Sequence, residues 1–219
     1  VANPGPGRPR LEQQRRPGTT PRAEILDAAA ELFSEHGYAN TSTRRIADAV
    51  GMRQASLYHH FATKDDILDA LLSETIAEPL ELAGRLVGDT EAPEIRLYAL
   101  AQFDVAQLCA SHWNLAALYL LPEVRTTRFA AFRQRREELR GHYASLARDV
   151  VAACDGVADA ITLPFRLVET VVNIRSDDGM APSDAERTIA EAALRVLGWS
   201  GDFADVRRGA NAVIGRLAR

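Results

Sequence analysis

Apolar residues recur at three- and four-residue steps from position 21 onward, and Ile25, Ala28, Ala29, Leu32 and Phe33 form the first stripe, the spacing of one helix face. Thr20 and Pro21 supply a start signal and Gly37 a stop. A short second helix is predicted next, capped by Ser42 or Thr41, with Ile46, Ala47 and Val50 inward and Gly51 ending it. A third runs from about Gln54 to His60. The fourth opens on Thr63-Lys64-Asp65-Asp66, a close variant of the capping box, and carries Ile67, Leu68, Leu71, Leu72 and Ile76 on one side. Composition loosens between Gly84 and Pro93. Helical periodicity returns in Glu94 to Ser111, Trp113 to Leu121, about Thr126 to Cys154, Ala160 to Asp177, Ser183 to Leu197 and Phe203 to Leu217. No alternating apolar and polar run lies between hairpin turns, so the predicted class is all-α.

Composition changes this picture at the N-terminus. Residues 1–19 are rich in Pro, Gly, Arg and Gln with little aliphatic content, and are expected to form a disordered arm. The predicted organisation is therefore an arm at 1–19, a helix-turn-helix domain at 20–66 and a larger helical domain at 67–219. With 47% hydrophobic residues in 219, the chain can bury a substantial core. No apolar run has a spanning length and no secretory core is visible, so a cytoplasmic location without membrane association is expected. Cys109 and Cys154 stand outside any metal-ligand spacing; reduced thiols, no metal and no cofactor are expected. The net charge of −4 hides a basic N-terminal part, with nine Arg or Lys against six Asp or Glu up to residue 64.

That basic part contains two helices joined by a tight glycine turn, the mark of a helix-turn-helix whose second helix enters the major groove. Ile46, Ala47, Val50, Met52, Leu57 and Phe61 are placed inward, and Gly51 permits the turn. Ser42, Thr43, Arg44, Arg53, Gln54, Ala55, Ser56, Tyr58, His59, His60 and Lys64 remain as candidate DNA-binding residues. Arg53 and Gln54 are placed where side chains reach base edges, Arg toward guanine and Gln toward adenine in bidentate pairs. Tyr58, His60 and Lys64 are assigned to phosphates.

The string Ala30-Glu31-Leu32-Phe33, Gly37-Tyr38, Thr41-Ser42, Ile46-Ala47, Val50-Gly51-Met52, Leu57-Tyr58, His60-Phe61, Lys64 and Leu68 resembles the tetracycline-repressor (TetR) family across residues 22 to 72. The resemblance implies an all-α homodimer, a recognition helix at residues 54 to 60 and a small-molecule effector pocket in the C-terminal domain. Arg53 stands where the family often has a small hydroxyl cap, and Ala55 where glycine is frequent. Gly7-Arg8-Pro9-Arg10 with Arg15-Arg16 resembles minor-groove hooks; a solvated tail is the alternative.

In the larger domain, Phe103, Gln107, His112, Trp113, Tyr119, Phe129, Phe132, Arg133 and Arg136 are the candidate ligand-binding residues, against the alternative of an ordinary packed core. Arg136 falls on the apolar Phe132 to Leu139 seam. It needs Glu123, Glu137, Glu169 or a ligand carboxylate as partner, unless it snorkels to solvent. By the same resemblance, Leu167, Val168, Val171, Val172, Ile189, Ala193, Val196 and Leu197 are expected at a dimer interface; service to the monomer core alone is the alternative. The expected mechanism is release of a double-stranded, approximately palindromic operator when a small-molecule effector shifts the population of a repressor dimer. An enzyme is not expected, since no phosphate loop, H-E-x-x-H or G-x-S-x-G setting occurs. Recruitment of a protein partner in place of an effector, or activation of transcription, is the remaining rival.

Overall fold

Thr20 accepts a hydrogen bond from the Ala23 amide at 3.2 Å and opens helix α1 (Pro21–His36), which ends at Gly37 with φ of 80°. The computed structural model describes residues 20–218; the expected arm at 1–19 lies outside them. All predicted stripe residues of α1 are buried. Helix α2 (Thr43–Val50) is capped by Ser42, whose side chain accepts from the Arg45 amide at 3.2 Å. Thr41, the other candidate cap, is buried and donates to the Leu32 and Gly37 carbonyls instead. At the other end Gly51 is left-handed, its N–H bonds the Asp48 carbonyl, and the Met52 N–H bonds Ala47. That double closure reverses the chain within a few residues and delivers helix α3 (Gln54–Tyr58).

Helix α4 (Lys64–Val87) begins with the predicted reciprocal cap: Asp66 N–H donates to Thr63 Oγ1 at 3.1 Å, and Thr63 N–H to Asp66 Oδ2 at 2.9 Å. It continues past the expected break at Gly84, with Pro79 in its interior. The chain divides into two compact units, one up to Leu68 and one from Asp69.

In the second unit, helix α5 (Pro93–Ala110) is central and packs against α6 (Ala130–Cys154), α7 (Leu163–Asp178), α8 (Ala185–Arg195) and α9 (Phe203–Leu217). Its small residues Ala99 and Ala101, with Ala190, Ala193 and Ala210 on α8 and α9, are fully buried, as close helix crossings require. Leu97, Tyr98, Leu100, Val105, Leu146, Val150, Val168, Val171 and Leu194 complete the core. Short 3₁₀ turns at Leu115–Leu120, Pro122–Arg125 and Thr127–Phe129 replace the helix predicted over Trp113 to Leu121 and the first residues of the long stretch after it. The described residues contain no strand.

Two buried arginines close helix ends. Arg96 donates to the last carbonyls of α4, Leu86 and Val87, and to Asp149 at 3.1 Å. Arg175 donates to the carbonyls of Leu108, Ser111 and His112, the end of α5. A rigid guanidinium fork serves several orphan carbonyls at once.

Candidate nucleic-acid interface and regulatory site

Leu57 is fully buried and anchors α3, while every other residue from Arg53 to His60 is exposed. Five residues cannot form a stable helix unaided; the Gly51 closure before it and the buried Leu57 and Phe61 hold this one in place. Arg53 occupies the cap position with extended backbone and makes no side-chain cap, so its guanidinium is not spent on the helix. Gln54 is not free in the same sense. Its Nε2 donates to Thr43 Oγ1 at 3.0 Å and to Tyr58 Oη at 3.3 Å, and the two hydroxyls lie 3.1 Å apart. Ala55, Ser56, His59 and His60 stand clear at the surface, with Ser42 and Arg44 on the neighbouring helix; Arg44 reaches Asp48 at 4.0 Å.

Lys64, expected at a phosphate, is partly engaged by the backbone. The ammonium donates to the Tyr38 and Thr41 carbonyls at 2.8 and 3.0 Å and sits 4.0 Å over the Tyr38 ring. Two of its three donors thus tie α4 to the end of α1, and at most one is left for a phosphate. A concavity of about 510 Å³ opens beside it, lined among others by Asn40, Ser42, Thr43, Tyr58 and Thr63.

The predicted ligand-binding residues do not converge on one place. Tyr119 and Phe132 meet at 5.3 Å between ring centroids, and Arg136 lies 5.2 Å over Tyr119 and 5.4 Å over Phe165. Tyr119 also shares a hydrogen bond with Thr75. Arg136 is paired with Glu169, which Arg166 holds at 3.0 Å from its other oxygen. Of the readings open to Arg136, the protein carboxylate partner is the one realised, and burial pulls its pKa down. His112 and Trp113 stack edge-on at 4.7 Å at the far end of α5, beside a crevice of about 380 Å³ that Cys109, Arg175 and Met180 help to line. Phe103 borders a different cavity, of about 200 Å³, with Glu78, Arg85 and Leu217. Arg133 is spent on the Val124 and Thr126 carbonyls, and Phe129 is buried. Arg133 thereby ties the start of α6 to the 3₁₀ turns before it. Gln107 is half-exposed on α5.

Of two groups beside Arg136, Tyr143 is one of the large aromatic side chains that the sequence offers for a cavity, and Asp104 was not singled out from the sequence. Asp104 is buried, and its Oδ2 accepts from Tyr143 Oη at 2.9 Å. Burial pushes its pKa up to about 7, against the lowering effect of Tyr143 and of the Arg136 charge. Burial likewise raises the Tyr143 and Tyr119 hydroxyls above the usual phenol value. An acidic residue between Ala101 and Val105 on an otherwise apolar helix face was the available signal.

The expected interface residues divide by exposure. Val168, Val171, Ala193 and Leu197 are 0% exposed, and Val172 and Ile189 are 9% and 7%. All six belong to the chain's own core; the four at 0% leave a second copy no area to bury, and Val172 and Ile189 leave little. Leu167 and Val196 keep surface, and they continue into a half-exposed stripe with Leu163, Thr170, Ile174 and Ala192.

Residues 25–71 match the profile of bacterial regulatory proteins of the tetR family. The crystal structure of Mycobacterium smegmatis AmtR superposes with a TM-score of 0.90 at 62% identity, covering 93% of this chain and 98% of that one. The chain belongs to the tetR family. Against curated TetR relatives it spans about half their length or less. The repressor KstR2 of Rhodococcus jostii strain RHA1 is 36% identical over 98 residues, 45% of this chain and 48% of the relative. The repressor AcnR of Corynebacterium glutamicum is 38% identical over 64 residues, 29% and 34% of the two chains. The structure of KstR2 from Mycobacterium tuberculosis, at 24% identity and a TM-score of 0.67 over 83% of this chain and 95% of that one, shares the fold. Among the described residues no helix is long and apolar enough to cross a membrane.

Proposed function

We propose that the protein is a cytoplasmic, ligand-responsive transcriptional repressor that binds an approximately palindromic operator as a dimer. The observation that carries this reading is α3 itself: one buried anchor, Leu57, under an outward array of Arg53, Gln54, Ser56, Tyr58, His59 and His60. Such a helix can lie in a major groove with its first residues on base edges and its last on phosphates. Two copies give two reading helices, so half-sites are inverted and about one helical turn, or a multiple of it, apart. The mostly apolar stripe Leu163, Leu167, Thr170 and Ile174 on α7, with Ala192 and Val196 on α8, is the surface assigned to the second copy.

The effector is assigned to the second unit, at the group formed by Tyr119, Phe132, Arg136 and Phe165 above the Asp104–Tyr143 pair. It lowers affinity for DNA by binding better to a form in which the two reading helices no longer match successive grooves. A tenfold release needs a preference of about 1.4 kcal/mol. Operator DNA must then weaken effector binding by the same factor.

The test is selection from a random-sequence duplex library. Enrichment of inverted repeats bound by two copies of the chain is expected; asymmetric sites bound by one copy, or no enrichment, refute the reading.

A further inference from the structure

Thr43, Gln54 and Tyr58 meet in three mutual contacts: Gln54 Nε2 to Thr43 Oγ1 at 3.0 Å, Gln54 Nε2 to Tyr58 Oη at 3.3 Å, and hydroxyl to hydroxyl at 3.1 Å. Each contact needs one hydrogen. With the amide nitrogen inward, Gln54 supplies two and one hydroxyl supplies the third, so all three are satisfied. With the amide oxygen inward, the only hydrogens are those of the two hydroxyls. Two contacts would consume them, and the third would set lone pair against lone pair. Hydrogen counting therefore fixes the orientation of a group whose two ends are otherwise nearly alike.

We infer that Gln54 offers DNA only its carbonyl oxygen, and so reads an exocyclic amino group, on adenine or cytosine alike, at one base pair of each half-site. Both amide hydrogens are engaged by Thr43 and Tyr58, which leaves none for adenine N7. The bidentate adenine contact expected from residue type alone is thereby withheld, and a guanine or thymine on that strand would present a carbonyl oxygen to a carbonyl oxygen. Tyr58 and Thr43 act as positioning residues: they choose which face of the amide is read. The Arg53 side chain next to Gln54 makes no helix cap.

This inference rests on the DNA-binding reading above, and its test separates the two. Preferred duplexes are selected from a random library with the full chain. Binding is then titrated on the enriched site with all base pairs at each position. Three proteins are compared: wild type, Gln54→Ala, and Thr43→Val/Tyr58→Phe, which keeps the shapes and removes both hydroxyls. Gln54→Ala should flatten the preference at one base pair per half-site, which marks the base that Gln54 reads. There, wild type should bind adenine and cytosine within about threefold of each other and guanine and thymine more than about threefold more weakly; the double variant, its amide released, should prefer adenine to cytosine by more than about threefold. Any uniform loss of affinity in the double variant cancels in this comparison. The inference is overturned if wild type separates adenine from cytosine, if it tolerates guanine or thymine, if the double variant keeps the wild-type profile, or if Gln54→Ala flattens nothing. A library that yields no enriched site overturns the DNA-binding reading and this inference with it.

Discussion

Asp104 holds a carboxyl group where its charge is poorly solvated, and the consequence is a dependence of stability on pH. Its folded pKa of about 7 stands above the ordinary 3.8, so between those values the folded chain holds a proton that the unfolded chain has released. The stability it contributes is complete below pH 3.8 and is lost as pH rises through 7. Asp104→Asn still accepts from Tyr143 and carries no charge; it should raise stability at pH 8 by about 1–3 kcal/mol and flatten the fall between pH 4 and 7. Chemical denaturation across that range is the measurement. Arg136 argues in the other direction. Removing one member of a buried pair usually costs about 3–5 kcal/mol, but Glu169 keeps Arg166 at 3.0 Å, so Arg136→Met should cost only about 1 kcal/mol. None of this could be read from residue type. Lys64 was a sound phosphate candidate by type, and only the fold brings the Tyr38 and Thr41 carbonyls to its ammonium.

At the level of elements, what the sequence made legible was local chemistry. Thr20 with Pro21, Ser42, Gly51 and the Thr63/Asp66 pair each act within a few residues of themselves, and each marks an element end where the structure has one. The segment from Trp113 to Phe129 was misread because its periodicity suits a helix while its ties are distant. Asn114 Nδ2 donates to the Val172 carbonyl at 2.8 Å, Arg133 gathers the Val124 and Thr126 carbonyls, and Pro122 lacks an amide to give. Close approach between elements was equally invisible. A Cβ added at Gly156 would lie 2.1 Å from the Leu197 carbonyl oxygen, at the point where the Val157 amide bonds that same oxygen. Gly156→Ala should therefore destabilise the second unit by about 1–3 kcal/mol, read as a lower melting temperature. Gly84→Ala, which meets nothing within 4 Å on α4, should be neutral or slightly stabilising.

At the scale of the whole molecule, apolar periodicity located the helices of the second unit but not their outward faces. The most regular stripes, through Val168, Val171, Ala193 and Leu197, are the ones the chain keeps for itself. The surface proposed above for a second copy is the less regular one, where Leu163 is 41% exposed and Leu167, Thr170 and Ile174 are partly so. Leu167→Arg should therefore shift the protein toward monomer in sedimentation velocity while leaving its helical content unchanged. Loss of the dimer should also weaken operator binding far more than binding to random duplex.

The central claim is that the outward face of α3 reads DNA sequence. It is tested most directly by the ratio of affinities for the enriched duplex and for a scrambled duplex at moderate salt, measured for wild type and for Arg53→Ala/Gln54→Ala. A wild-type ratio of about 1,000 or more is expected, falling at least about tenfold in the variant at unchanged thermal stability. A wild-type ratio near one, or a ratio that survives loss of both side chains, would contradict it.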